Sequence, residues 1–126
     1  MAGEEELKAG EEQFASLADL CEIGAPVTKV YPQIGKALKF KPTLPMDRYL
    51  FLQERYNLAG GKGKRDTRGF MVAVLKDVLV EPRIVTPDDE RAILKANSAV
   101  IFDVLADVLG RNDESFQAIK EDMGES

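Results

Sequence analysis

Apolar positions recur along this chain with two periods, and the changes of period mark its elements. In residues 4–21, Leu7, Phe14, Leu17, Leu20 and Cys21 fall near helical spacing, but Gly10 interrupts the run. This predicts a weakly anchored helix with a mobile first dozen residues. Gly24 and Pro26 then break the chain. Val27–Tyr31 is short and β-prone, 32–35 is a turn, and 36–41 alternates, with Ala37, Lys39 and Lys41 on one face and Leu38 and Phe40 on the other. A β-hairpin over 27–41 is expected. A lone hairpin is marginal in water, so its apolar face must pack on helices or on another subunit.

The period then lengthens. Thr43 and Pro45 mark the entry to a helix over about 45–57, with Met46, Tyr49, Leu50 and Tyr56 broadly to one side. The glycine-rich stretch 59–63 reads as a loop. From about 66 to 80, Phe70, Val74, Leu75, Val78 and Leu79 form one helical stripe, which Glu81-Pro82 ends. Thr86-Pro87-Asp88-Asp89 is a strong helix start: an N-cap, a proline at the first helical position, and acids at the positive end of the dipole. Ile93 and Leu94 are the apolar positions of this short helix. Asn97 can cap the next one, which runs to about Leu109 and stops at Gly110. That helix is apolar almost all round, with only Asp103 and Asp107 as a polar stripe, which predicts the buried centre of a bundle. A last helix over about 113–123 contributes Phe116 and Ile119. The expected fold is mainly α (α+β), a small bundle of about five helices with one short N-terminal β-hairpin. It divides into an acidic segment, 1–24, and one helical domain, 25–126.

Composition narrows the chemistry. A chain of 126 residues can bury a core without metals or disulfides. Cys21 is the single cysteine, which excludes an intrachain disulfide and zinc-finger ligand sets and suits a reducing compartment. There is no histidine, so the commonest general base, the commonest metal ligand and the usual partner of a Ser or Cys nucleophile are missing. No enzyme activity, cofactor or metal is expected. The acidic N-terminus lacks the pattern of a signal peptide, and the longest apolar stretches, 71–75 and 99–102, are far too short to span a bilayer. The protein is expected to stay in the cytoplasm where it is made, without a membrane partner.

Charge is blocked. Residues 1–22 sum to −6, residues 23–75 to +7 and residues 76–126 to −6, which recovers the net −5. A basic middle between acidic ends implies internal complementarity, a basic face for an acidic partner, or simply solvated faces.

Several candidate sites fail on spacing. Gly63-Lys64 is followed by Arg65, and the glycine a P-loop needs is Leu58, so the stretch 60–65 is not a phosphate cradle. Lys62, Lys64, Arg65 and Arg68 form a basic loop that could touch nucleic-acid phosphates, but the chain's pI near 4.8 and the lack of interleaved aromatics argue against it. Asp88, Asp89 and Glu90 are explained by a helix start and lack the spacing of a calcium loop. Asp103 and Asp107 read as a thin solvent-facing stripe, and Cys21 as a buried apolar position. The remaining lead is apolar: Leu38, Phe40, Tyr49, Phe51, Leu52 and Tyr56 offer more apolar area than one hairpin and one helix need.

The order of segments resembles the tail assembly chaperones of long-tailed bacteriophages. The resemblance spans about residues 27–120. It rests on the hairpin with Leu38-Lys39-Phe40, the helix with Asp47-Arg48, the apolar helix ending in Val78-Leu79-Val80, and the run EPRIVTPDDERAILKANSAVIFDVLADVLGRNDES, with Thr86, Asp88, Asp89, Lys95, Asn97, Ser98, Leu109 and Gly110 at the family's pattern positions. The acidic segment 1–22 is not part of it. The resemblance implies a protein of the host cytoplasm that binds the tape measure protein, and in some cases tail tube protein, before the tube polymerises. A frameshifted longer form is common in that family. On this reading Leu38, Phe40, Tyr49, Leu52 and Tyr56 form the contact region, helped by the basic middle and by self-association. Two other readings stay open: a structural tail or head–tail connector subunit, and a small nucleic-acid-binding regulator using 62–68.

Overall fold

The computed structural model of the chain describes residues 14–21, 25–60 and 63–123. A five-residue helix α1 (Leu17–Cys21) precedes the hairpin of β1 (Val27–Tyr31) and β2 (Lys36–Phe40). Five helices follow: α2 (Met46–Arg55), α3 (Thr67–Val78), α4 (Pro87–Ile93), α5 (Ser98–Leu109) and α6 (Glu114–Asp122). The α+β class and the hairpin are as expected. The predicted first dozen mobile residues, with Leu7 and Gly10, lie outside the described residues, as do Gly24 and the side chain of Cys21.

The hairpin is antiparallel, with Val27 opposite Phe40 and Tyr31 opposite Lys36. Gly35 closes its turn at φ 65°, a conformation that favours glycine. Its apolar face packs inward as expected, with Tyr31 and Phe40 both buried. The expected helix over 66–80 is corrected at its end. Helix α3 stops at Val78, and Leu79–Glu81 form a third strand, β3, antiparallel to β2 with Leu79 opposite Phe40. Glu81 precedes Pro82, which disfavours helix there, and Leu79 has turned to φ −71°, ψ 128°. The N–H of Lys41 donates to the freed carbonyl of Val78 at 2.8 Å, so the helix end is satisfied by the sheet.

The centre of the core also differs from expectation. Helix α5 buries Val100, Ile101, Val104, Leu105 and Ala106, but α3 buries seven residues, among them Phe70, Val74 and Leu75 at 0 % exposure. Helices α2 and α6 pack on α3, and α6 also packs on α5. The polar stripe of α5 reaches solvent, with Asp107 exposed, and is also paired: Lys29 Nζ of β1 lies 2.7 Å from Asp103 and 3.1 Å from Asp107. Those two carboxylates, through their bonds to the ammonium, hold the Lys29 proton well above its ordinary range. They link the outer strand to α5.

Helix α2 buries a different stripe from the expected one. Tyr49 and Tyr56 are half-buried and Leu52 fully buried, at i, i+3 and i+7, whereas Met46 and Leu50 are more than half exposed. Two caps are those anticipated, Thr86 and Asn97, whereas the entry to α2 at Pro45 carries no side-chain cap. Thr86 Oγ1 accepts from the N–H of Asp89, whose carboxylate accepts in return from the N–H of Thr86, and Asn97 accepts from the N–H groups of Ala99 and Val100. No helix among the described residues is long and apolar enough to cross a membrane.

The burial of Phe40 separates a core role from a contact role. Phe40→Ala should lower stability by about 3–5 kcal/mol in urea unfolding. A surface contact residue at this position would change it by no more than about 0.5 kcal/mol.

Candidate partner-binding groove

Helix α4 has no buried residue, so it stands off the core as a wall. Between it, α2 and α3 runs an open groove of about 460 Å³. Leu52, Tyr56, Val72 and Ala73 form its floor, and Leu94, just past the end of α4, forms part of its lip. The floor exists because α2 and α3 approach closely at Gly69. A Cβ there would meet the Tyr56 ring at 2.6 Å and the Asp66 carboxylate at 2.5 Å. Asp66 caps α3 by accepting from the N–H of Gly69 at 2.9 Å, so the glycine serves both the cap and the packing.

The rim is charged and mostly paired. Arg48 Nε donates to Asp77 at 2.5 Å, and Lys76 Nζ to Glu90 at 2.9 Å across the α3–α4 gap. Arg91 pairs with Asp88 on its own helix. Arg68 stands exposed at the edge. Exposed pairs of this kind are worth roughly 0–1 kcal/mol each, so the Lys76–Glu90 bridge restrains α4 only weakly.

The expected contact residues separate. Leu52 and Tyr56 reach the groove, although Leu52 is 1 % exposed and serves as floor. Phe40 at 0 % cannot be a contact surface, because the third strand and the helices cover it, and Leu38 is half-buried against the core. Phe40 is corrected from a contact to a packing residue, whereas Leu38 keeps a part-exposed side chain. Phe51, also part of the apolar lead, is about half exposed and stacks under Arg48 on the outer face of α2. Gly69, Val72, Ala73 and Leu94 did not emerge from the sequence. An isolated glycine inside an apolar helix was the one available signal of close packing.

Tyr49 faces elsewhere. Its Oη donates to Asp113 Oδ2 at 2.6 Å, and Gln53 Nε2 donates to Tyr49 Oη at 3.1 Å and to Ser115 Oγ at 2.9 Å. This network joins α2 to the start of α6, where Asp113 is the N-cap. Ser115 Oγ also lies 3.2 Å from Tyr49 Oη. Burial, then the bond to Asp113, pushes the Tyr49 hydroxyl up to about 12. Burial does the same for Tyr31, whose Oη makes no hydrogen bond among the described residues.

The basic loop does not present four open charges. Lys62 lies outside the described residues. Arg65 is held by α6, with Nε 2.8 Å from Asp122 and Nη2 2.7 Å from Glu121, and this keeps the Asp122 carboxyl below its ordinary range. Lys64 and Arg68 border the same shallow depression, which Asp122 also lines. Among the described residues no group of three or more potential metal-ligating side chains is present. Comparison with protein-family models, curated proteins and solved structures finds no match to this chain.

The raised tyrosines set an alkaline limit on stability. The folded state keeps the Tyr31 and Tyr49 protons up to about pH 12, whereas unfolded tyrosine releases them near pH 10. Between those values the folded state binds more protons, so stability is complete below pH 10 and falls as pH rises towards 12. Denaturant midpoints measured from pH 9 to 12 should show that fall, and Tyr49→Phe should flatten it. An unchanged slope in the variant would contradict the assignment.

Proposed function

We propose that this chain is an assembly chaperone that binds a helical protein partner in the groove between α2, α3 and α4, without catalysis. The observation that carries the reading is the groove itself. An apolar floor on α2 and α3 faces a wall, α4, none of whose residues is fully buried and which is bridged to α3 by an exposed pair. Such a groove fits the apolar stripe of an amphipathic helix, and a loosely held wall lets the contact form and release. A chaperone needs both properties, because its client must be covered before assembly and surrendered during it.

The resemblance to tail assembly chaperones supplies the client: the tape measure protein of a long-tailed phage, with tail tube subunits as further partners in the host cytoplasm. A long helical protein with apolar stripes aggregates when those stripes are bare. Pairing of basic groups supports a protein client over nucleic acid, since Arg48 on the rim and Arg65 beside α6 already have carboxylate partners.

Co-expression with the phage's long helical tail protein should move that protein into the soluble fraction and co-purify the two. Leu94→Glu, at an exposed position, should weaken the complex at least about tenfold, roughly 1.4 kcal/mol, while leaving the melting temperature unchanged. A client equally insoluble with and without this chain would contradict the proposal. Recovery of the chain from finished virions would favour a structural tail subunit instead.

A further inference from the structure

The charges around the groove sort by whether they have partners. Its lining holds four bases and three acids, and Asp88, the partner of Arg91, balances the count. Arg48 is held by Asp77 and Lys76 by Glu90, while Asp66 accepts from the N–H of Gly69. A partner's charge laid against a closed pair meets one attraction and one repulsion and gains little, so the flanks of the groove do not select for charge. Arg68 is the exception. It is exposed and, among the described residues, has no ion pair, hydrogen bond or ring contact.

Arg68 and Asp77 mark the two ends of the groove along α3, about 14 Å apart at the rise of an α-helix. At the Arg68 end the groove adjoins a shallow depression, with which it shares Asp66 and Arg68. There Lys64 is also exposed and has no carboxylate partner among the described residues, whereas Arg65 is taken by Glu121 and Asp122. At the other end Arg48 and Asp77 close on each other, and Lys41 beyond them does not line the groove. The groove is apolar along its floor, self-neutralised along its flanks and positive at one end. The chain's own acidic stretch is a poor complement to it. Residues 1–22 carry seven acids and one base, so most of those carboxylates would find no free cation there.

We infer that Arg68 selects and orients the client: the groove takes about two and a half turns of an amphipathic helix that carries a carboxylate at the end of its apolar stripe, over Arg68. The inference rests on the groove being a helix site and adds what the site discriminates. The floor supplies affinity without direction, because an apolar stripe packs in either sense. The single unpaired charge of the lining supplies the direction. The contact is exposed, so it is worth up to about fivefold in affinity and weakens with salt.

Synthetic peptides test this without a phage protein. Blocked helical peptides with one leucine stripe and glutamine flanks are titrated into the full-length ¹⁵N-labelled chain, with glutamine, glutamate or lysine at one end of the stripe or the other. Binding is read from the amides of Val72 and Ala73. Glutamate at one end, and at that end alone, should tighten binding about two- to fivefold over glutamine, and lysine there should weaken it. The preference should vanish in Arg68→Gln, return in Arg68→Lys and shrink at high salt. Glutamate favoured equally at both ends, or a preference unchanged in Arg68→Gln, would overturn the inference while leaving the groove a helix site. A peptide of residues 1–22 that binds more tightly than the all-glutamine peptide would overturn it as well. If no peptide perturbs Val72 or Ala73, the groove reading itself fails, and the role of Arg68 with it.

Discussion

The structure depends on the removal of one helix stripe from water. Phe70, Val74 and Leu75 are 0 % exposed and Val78 1 %, and the other elements are placed by how they cover or continue α3. Helices α2 and α6 lie against it. Its C-terminal end runs straight into β3, which holds β2, which holds β1. Lys29 on β1 then reaches Asp103 and Asp107 on α5, so the path from the central helix returns to the bundle through an ion pair. Helix α4 is outside this scheme, joined to α3 by Lys76 and Glu90 and to the core by partial packing of Ile93.

Much of this was legible in the residues. The alternation of Leu38 and Phe40 with lysines specified the hairpin and its inner face. Thr86 and Asn97 specified two helix starts to the residue, because a cap is a local interaction between side chain and nearby backbone. What was not legible depended on contacts distant in sequence. Leu79 continues the helical stripe of α3 by spacing, yet it forms strand because β2 offers it hydrogen bonds. Helix α5 is the most apolar by composition, but α3 is the one covered from more sides. Phe40 and Leu52 looked available for a partner because no local rule says which apolar groups the fold will consume first.

The candidate site was less legible than the fold for the same reason. A groove is an unfilled space between elements, and its residues share no spacing along the chain: Leu52 comes from α2 and Tyr56 from its C-cap, Gly69 and Ala73 from α3, Leu94 from beyond α4. The charge pattern was misleading in part. Three of the ten basic residues of its middle are answered within the fold, Arg65 by Asp122 and Glu121, Arg48 by Asp77 and Lys29 by Asp103, which is part of the internal complementarity that the charge blocks allowed. The groove adds apolar surface beside a helix that the core holds only through the partly buried Ile93.

That division between a rigid floor and a loose wall is the central claim, and native-state hydrogen exchange measures it directly. The amides of Phe70, Val74 and Leu75 should exchange only through global unfolding, with free energies equal to the whole stability of the protein. Those of Arg91, Ala92 and Ile93 should exchange through local opening, with distinctly lower free energies and little dependence on denaturant. Protection of α4 equal to that of α3 would contradict the account, because the groove would then have two rigid walls and no means of releasing what it holds.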